Sequence, residues 1–276
     1  MKKLTLVLFI LLIVTNTLKA QYNLDSTGKE LQKIAVLIQS DSSTKERFKQ
    51  DSIFTRTLIQ VLKNPYSFNY KLDSLISIQK LIAPDHKFKL FSWQLDLGDG
   101  TYRQRAAIQF PTKDGSLKLL PFFDASDFNN TPTKGFNNRK NWMGALYYQI
   151  IPVSFKQQNY YTLLGYDEYN LTVSRKIIEV MHFENDEPIF GGDFFEYPKD
   201  ETYPVAPIDR FIYNYKKGSG ANIYFNSESN KLILSELTST EKDLKVSSTL
   251  VPSGNEVYFE WKNGKWVMHP KSSAKK

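Results

Sequence analysis

The chain has 276 residues, enough for one large domain or two modest ones, with a formal net charge of +7, 14% aromatic residues and no cysteine. Without cysteine there are no disulfides, no lipidated cysteine and no thiolate for catalysis or zinc. The charge sits largely at the ends: removing Lys2, Lys3 and Lys19 lowers it to +4, and removing Lys271, Lys275 and Lys276 as well leaves a body near +1. The basic balance therefore gives no argument for a nucleic-acid partner, and the lysines form no stripe with interleaved aromatics.

The first twenty residues have the layout of a secretory signal peptide. Lys2 and Lys3 precede an apolar run from Leu4 to Val14, and Leu18-Lys19-Ala20 offers a small residue before Gln21. The run is too short to span a bilayer comfortably, and no stop-transfer pattern follows. The expectation is cleavage near Ala20, a mature chain without a transmembrane segment, and a periplasmic or secreted location. The absence of disulfides suits a bacterial periplasm.

Residues 21–85 read as an N-terminal helical segment. Leu31, Ile34, Ala35 and Ile38 form one apolar stripe, preceded by the capping-box spacing Thr27 to Glu30. A second box, Ser43 to Glu46, opens a helix with Phe54, Leu58, Val61 and Leu62 on its face, and Asn64-Pro65 stops it. A third helix is predicted from Leu72 to Ile82, ended by Pro84.

After Pro84 the period becomes two, and residues 86–270 read as an antiparallel β-rich domain. Strands are predicted at Lys87–Leu97 and Thr101–Phe110, joined through Asp99-Gly100, and at Leu117–Phe123 after an Asp114-Gly115 turn. Residues 125–141, rich in Asn, Asp, Thr and Gly, read as a long loop of the kind that is often functional. Strands resume at Ala145–Phe155, Tyr160–Tyr166, Lys176–Phe183, Phe211–Tyr215, Ile223–Phe225 and Lys231–Leu237. In the last hairpin, Asn263-Gly264 turns the chain so that Trp261 faces Trp266 and Phe259 faces Met268. Residues 271–276 read as a basic disordered tail.

The fold class that follows is α+β: a short N-terminal helical segment followed by a mainly antiparallel β-meander, as a sandwich or a half-barrel. Glu179, Glu184 and Arg210, in or beside candidate strands, argue against an outer-membrane barrel.

No catalytic, metal or cofactor motif stands out. The three histidines, His86, His182 and His269, have no His or Cys neighbour at ligand spacing; His182 shares a strand face with Glu184. Two acid pairs, Asp96 with Asp99 and Asp124 with Asp127, fall on turns, where aspartate accepts backbone hydrogen bonds. A glycoside-cleaving carboxylate pair is the enzymatic alternative. Gly-x-Ser-x-Gly and phosphate-cradling glycine loops are absent. Asp25-Ser26-Thr27, Asp51-Ser52-Ile53 and Asp73-Ser74-Leu75 match a short bacterial O-glycosylation pattern, and equally suit helix starts and faces.

Aromatic doublets are the remaining oddity: Phe122-Phe123, Tyr147-Tyr148, Tyr160-Tyr161 and Phe194-Phe195. In a strand each puts one ring on either face of the sheet. One reading is a sheet covered on both sides, with the N-terminal helices over one of them. The other is an aromatic platform, with Trp142, Tyr147, Tyr148, Tyr160 and Tyr161 as ligand-binding residues.

Pro84-Asp85 leading into Phe88-Lys89-Leu90-Phe91-Ser92-Trp93-Gln94-Leu95, then Asp99-Gly100-Thr101-Tyr102, resembles a group of uncharacterised exported proteins of Bacteroidetes-type bacteria. So do Trp142-Met143-Gly144-Ala145-Leu146-Tyr147-Tyr148 with Ile150-Ile151-Pro152, and Tyr160-Tyr161-Thr162-Leu163-Leu164-Gly165-Tyr166-Asp167. The likeness runs over roughly Leu72 to Val267. It implies a compartment and a taxonomic setting, and no activity or site residue. The function expected is that of an exported envelope protein with a non-enzymatic binding or accessory role toward a protein or glycan partner, without cofactor or metal. The alternative is a hydrolase of glycans or peptides.

Overall fold

The computed structural model describes residues 26–198, 209–241 and 246–269; the leader at 1–20 and the tail at 271–276 lie outside them. The chain divides into two compact units, Met1–Ile78 with Phe110–Lys118, and Gln79–Gln109 with Leu119–Lys276.

In the first unit, α1 covers residues 26–40 and buries Leu31, Ala35 and Ile38, with Ile34 half-buried on the same stripe. Helix α2, Thr44–Leu62, starts where Ser43 Oγ accepts the Glu46 N–H at 3.2 Å. Its buried face carries Phe54, Leu58, Val61 and Leu62, and it ends just before Asn64-Pro65.

The third helix is not formed. Leu72 takes a φ of 52°, which an α-helix does not admit. The Gln32 side-chain oxygen accepts the N–H groups of Ile76 (2.7 Å) and Ser77 (2.9 Å), which commits those donors outside any helix. Leu72, Leu75 and Ile78 are buried at a spacing of three, and this imitates a helical stripe in the sequence. Residues Gln79–Ile82 then form a strand, β1.

The second unit holds three sheets. In the first, β1 pairs with β2 (Lys89–Asp96), β2 with β3 (Tyr102–Phe110), and β3 with β4 (Lys118–Phe123). In the second, β5 (Asn137–Asn138), β9 (Glu187–Phe190), β8 (Val173–Glu184), β7 (Gln158–Asp167) and β6 (Leu146–Phe155) lie in that order, and β11 (Phe211–Lys216) pairs with the first half of β8. In the third the order is β10 (Phe195–Glu196), β15 (Lys265–His269), β14 (Leu250–Lys262), β13 (Lys231–Ser239) and β12 (Ile223–Asn226). Every pairing with a defined register is antiparallel except β10 with β15. Mostly antiparallel sheets with two helices near the N-terminus make this an α+β protein.

The second sheet is covered on both faces. One face gives Ile151, Leu164, Ile178 and Val180 to an apolar core shared with Ile223, Leu232, Leu234, Val257, Phe259, Trp266 and Met268 of the third sheet. Within it the Trp266 indole donates to Thr162 Oγ1 at 2.8 Å, so burial leaves no orphaned N–H there. The opposite face meets the first sheet and its connections: Phe88 packs edge-on to Tyr161, and Ser92 Oγ accepts the Tyr147 N–H at 3.1 Å.

Candidate functional site

Along β6 the register shifts between Tyr147 and Gln149, a bulge that leaves Tyr148 as the extra residue. A bulge reverses side-chain parity beyond it. Tyr147 consequently points to the face shared with the first sheet, and Tyr148 to the face shared with the third. Gly165, opposite Tyr147 on β7, leaves room for that ring: a Cβ there would stand 3.2 Å from it.

Tyr147 begins a buried polar chain. Its hydroxyl donates to Glu179 Oε2 at 2.6 Å and accepts from the Trp142 indole at 2.8 Å. Glu179, on β8, forms an ion pair through its other oxygen with Arg210 Nε, and both are sealed from solvent, 1% and 0% exposed. Burial first, then the Glu179 carboxylate, push the Tyr147 phenol well above its ordinary pKa. Arg210 Nη1 continues to the Pro132 carbonyl at 2.9 Å, and the neighbouring Asp209 carboxylate accepts the Gly135 N–H at 2.6 Å. Gly191 permits the close approach: a Cβ there would lie 2.7 Å from the Gly135 carbonyl.

These contacts anchor the segment read from sequence as a long loop. It carries a short 3₁₀ turn at Ser126–Phe128 and the strand β5. Asp124 fixes its start by accepting from Ser126 N and Oγ on one oxygen and from Gln104 N on the other. Arg139 pairs with Glu187 at 3.0 Å and Arg103 with Asp127 at 3.0 Å. With its inner side bound this way, the loop and the strand end before it turn large apolar groups outward: Phe123 is 57% exposed, Phe128 82% and Phe136 65%. Lys134 and Lys140 are exposed and have no acidic partner among the described residues.

The sequence-selected aromatics do not make a platform. Trp142, Tyr147 and Tyr161 are buried, so none has an open face to offer a ligand. Tyr161 donates to Asp85 at 2.7 Å and packs between Phe88 and Phe183. Tyr160 is half-buried, wedged against Phe194, Trp261 and His182. Tyr148 is half-buried, its hydroxyl donating to the Ile223 carbonyl at 2.8 Å. Tyr147-Tyr148 and Tyr160-Tyr161 do put one ring on each side, as a sheet packed on both faces requires, whereas Phe122-Phe123 turns one ring inward and one to solvent, and Phe194 and Phe195 both pack against the same core.

The acid candidates are engaged in turns. Asp96 accepts the Gly98 N–H, and Asp99 accepts the N–H and hydroxyl of Thr101, which hold its pKa below the ordinary carboxylate value. A general acid needs the opposite shift. Asp167 is raised by burial, but it is spoken for by the Tyr169 N–H, the Gln104 amide and Arg175. His182 meets Glu184 at 3.1 Å, and among the described residues no three His, Cys, Asp or Glu side chains gather as metal ligands.

Sequence reasoning missed Glu179 and Arg210 as partners. The available signal was Glu179 itself, a carboxylate inside the apolar run Ile177-Ile178-Glu179-Val180-Met181. No family model, curated protein or solved structure matches this chain.

Proposed function

We propose that this is an exported, soluble envelope protein that acts by binding a protein partner in an accessory role, through the anchored loop between β4 and β6. The carrying observation is the presentation of Phe123, Phe128 and Phe136 to solvent by a segment whose inner side is locked by the Glu179–Arg210 pair. Exposed large apolar groups on a pre-organised loop bind without the entropic cost of ordering, and buried aromatics dominate interface energies. Lys134 and Lys140 favour a partner with an apolar recess bordered by acidic groups. Export is supported by the leader-like start, and the absence of cysteine suits a bacterial periplasm better than a eukaryotic extracellular space. Among the described residues no helix is long and apolar enough to cross a membrane. The periplasmic or secreted location and the kinship with Bacteroidetes-type exported proteins belong to the same reading, supported by the sequence features that suggested them. The facing six- and five-stranded sheets, sharing one core, support a sandwich rather than a half-barrel.

Photocrosslinking from position 128 in cells exporting the protein, followed by titration of the purified crosslinked partner, tests the reading. Phe128→Ser and Phe136→Ser should each weaken binding by about tenfold or more with thermal unfolding unchanged. The reading fails if neither change affects the partner's affinity. It also fails if the protein turns over a glycan or peptide substrate and loses that activity on Asp→Asn change at Asp96, Asp99, Asp124 or Asp127.

A further inference from the structure

At one end of the space between the six- and five-stranded sheets, the aliphatic core gives way to a polar aromatic cluster. Lys176 on β8 stands opposite Tyr166 of β7 and Tyr213 of β11 in the ladders. Its amine lies 4.5 Å from the ring centroid of Tyr148 and 5.0 Å from that of Tyr166. Lys176, Tyr148 and Tyr166 are half-buried, so the cluster reaches solvent without being surrounded by it.

The hydrogen-bonding balance of this cluster is one-sided. The Tyr148 hydroxyl is used by the Ile223 carbonyl. Glu168, the acid of the neighbourhood, is taken by the Tyr166 hydroxyl and by Lys217 at 2.8 Å. Lys217 also donates to the Asn170 carbonyl at 3.0 Å. Tyr215, buried two residues beyond Tyr213 on the same face of β11 with ring centroids 6.1 Å apart, joins the cluster, and this leaves its hydroxyl and the Lys176 amine without a hydrogen-bond or ion-pair partner among the described residues. Both are donors. Burial lowers the Lys176 pKa, which expresses how poorly the site solvates an ammonium ion with no counter-charge.

We infer that this cluster is a binding site for a small carboxylate-bearing molecule, its carboxylate held by Lys176 and Tyr215 and its carbon body against the tyrosine rings. Two spare donors match the two oxygens of a carboxylate. The aromatic walls suit an apolar or ring-bearing remainder. Glu168 close by disfavours a dianion such as phosphate. Catalysis is not required of the site, and it stands apart from the phenylalanine-bearing loop.

Calorimetric titration of the full chain with glucuronate, benzoate and acetate, against glucose as the neutral control and inorganic phosphate as the dianion, tests it. At least one ring-bearing carboxylate should bind in preference to glucose and phosphate. Affinity should fall about tenfold or more in Lys176→Met and severalfold in Tyr215→Phe, since hydrogen bonds to charged groups contribute that much. Lys176→Met should also melt higher than the wild type, because it removes an uncompensated, half-buried charge. A lysine that served only packing and cation–π contact would give a lower melting temperature instead. The inference is overturned if no carboxylate binds the wild type, if glucose or phosphate binds as well, if Lys176→Met keeps its affinity, or if that variant is destabilised.

Discussion

Glu179 and Arg210 show how much can rest on one buried pair. Taking two charges out of water is expensive, and the cost is met here by good geometry and by the Tyr147 hydroxyl and the Pro132 carbonyl, which occupy the remaining carboxylate oxygen and one guanidinium nitrogen. Removing one member leaves the other buried and unmatched. Arg210→Met should therefore destabilise the fold by about 3–5 kcal/mol in urea unfolding followed by tryptophan fluorescence. Replacing both charges, with Glu179→Leu added, should restore much of that loss, because an apolar pair of similar volume escapes desolvation. A single variant as stable as the wild type would show that the pair does not hold the loop.

At the scale of elements, the last hairpin shows what local sequence specifies. Asn263 and Gly264 take φ of 51° and 82°, the paired positive values that match the twist of two strands joined by a two-residue turn. Trp261 then faces Trp266, ring centroids 5.4 Å apart, and Phe259 faces Met268. Gly264→Val would strain that φ and place a Cβ 2.6 Å from the Phe155 ring. A loss of about 2 kcal/mol or more is expected, seen as a lower melting temperature and altered tryptophan fluorescence. The first hairpin, β2 to β3 through Asp99-Gly100, was legible for the same reason, since turn and alternation lie within a few residues of each other. Elements defined by distant partners were not. β1 depends on pairing with β2 while its preceding residues are buried at a helical spacing, and β9 contains Pro188, which speaks against a strand in isolation. β10 is two residues paired in parallel to β15, too short to carry a pattern. The site divides along the same line. Trp142, Tyr147 and Tyr148 were legible as unusual aromatics, but their roles depend on a bulge and on an ion pair between residues 31 positions apart, and neither leaves a local signature.

The whole molecule carries an alkaline stability profile that follows from what it buries. Lys89, 3% exposed, has its pKa brought down to about 8, by burial first and by the charge of Lys80 second. An unfolded lysine titrates at about 10.4. Between those values the unfolded chain binds a proton that the folded chain does not, so stability rises with pH across that window, by about 3 kcal/mol in all. Lys176, lowered by burial, acts in the same sense. Tyrosines act in the opposite sense and at higher pH. Burial raises the phenols of Tyr148, Tyr161, Tyr166 and Tyr197, and takes Tyr215 up to about 12. An unfolded tyrosine ionises at about 10, so above that the unfolded chain releases protons that the folded chain still holds, and stability falls. Urea midpoints measured from about pH 7 to about pH 11 should climb above pH 8, peak between about pH 9 and pH 10 and then drop. In Lys89→Met the climb should flatten while the drop remains, because the tyrosines are untouched. A wild-type midpoint that declines steadily from neutral pH would mean that neither lysine is held against its charge in the folded state.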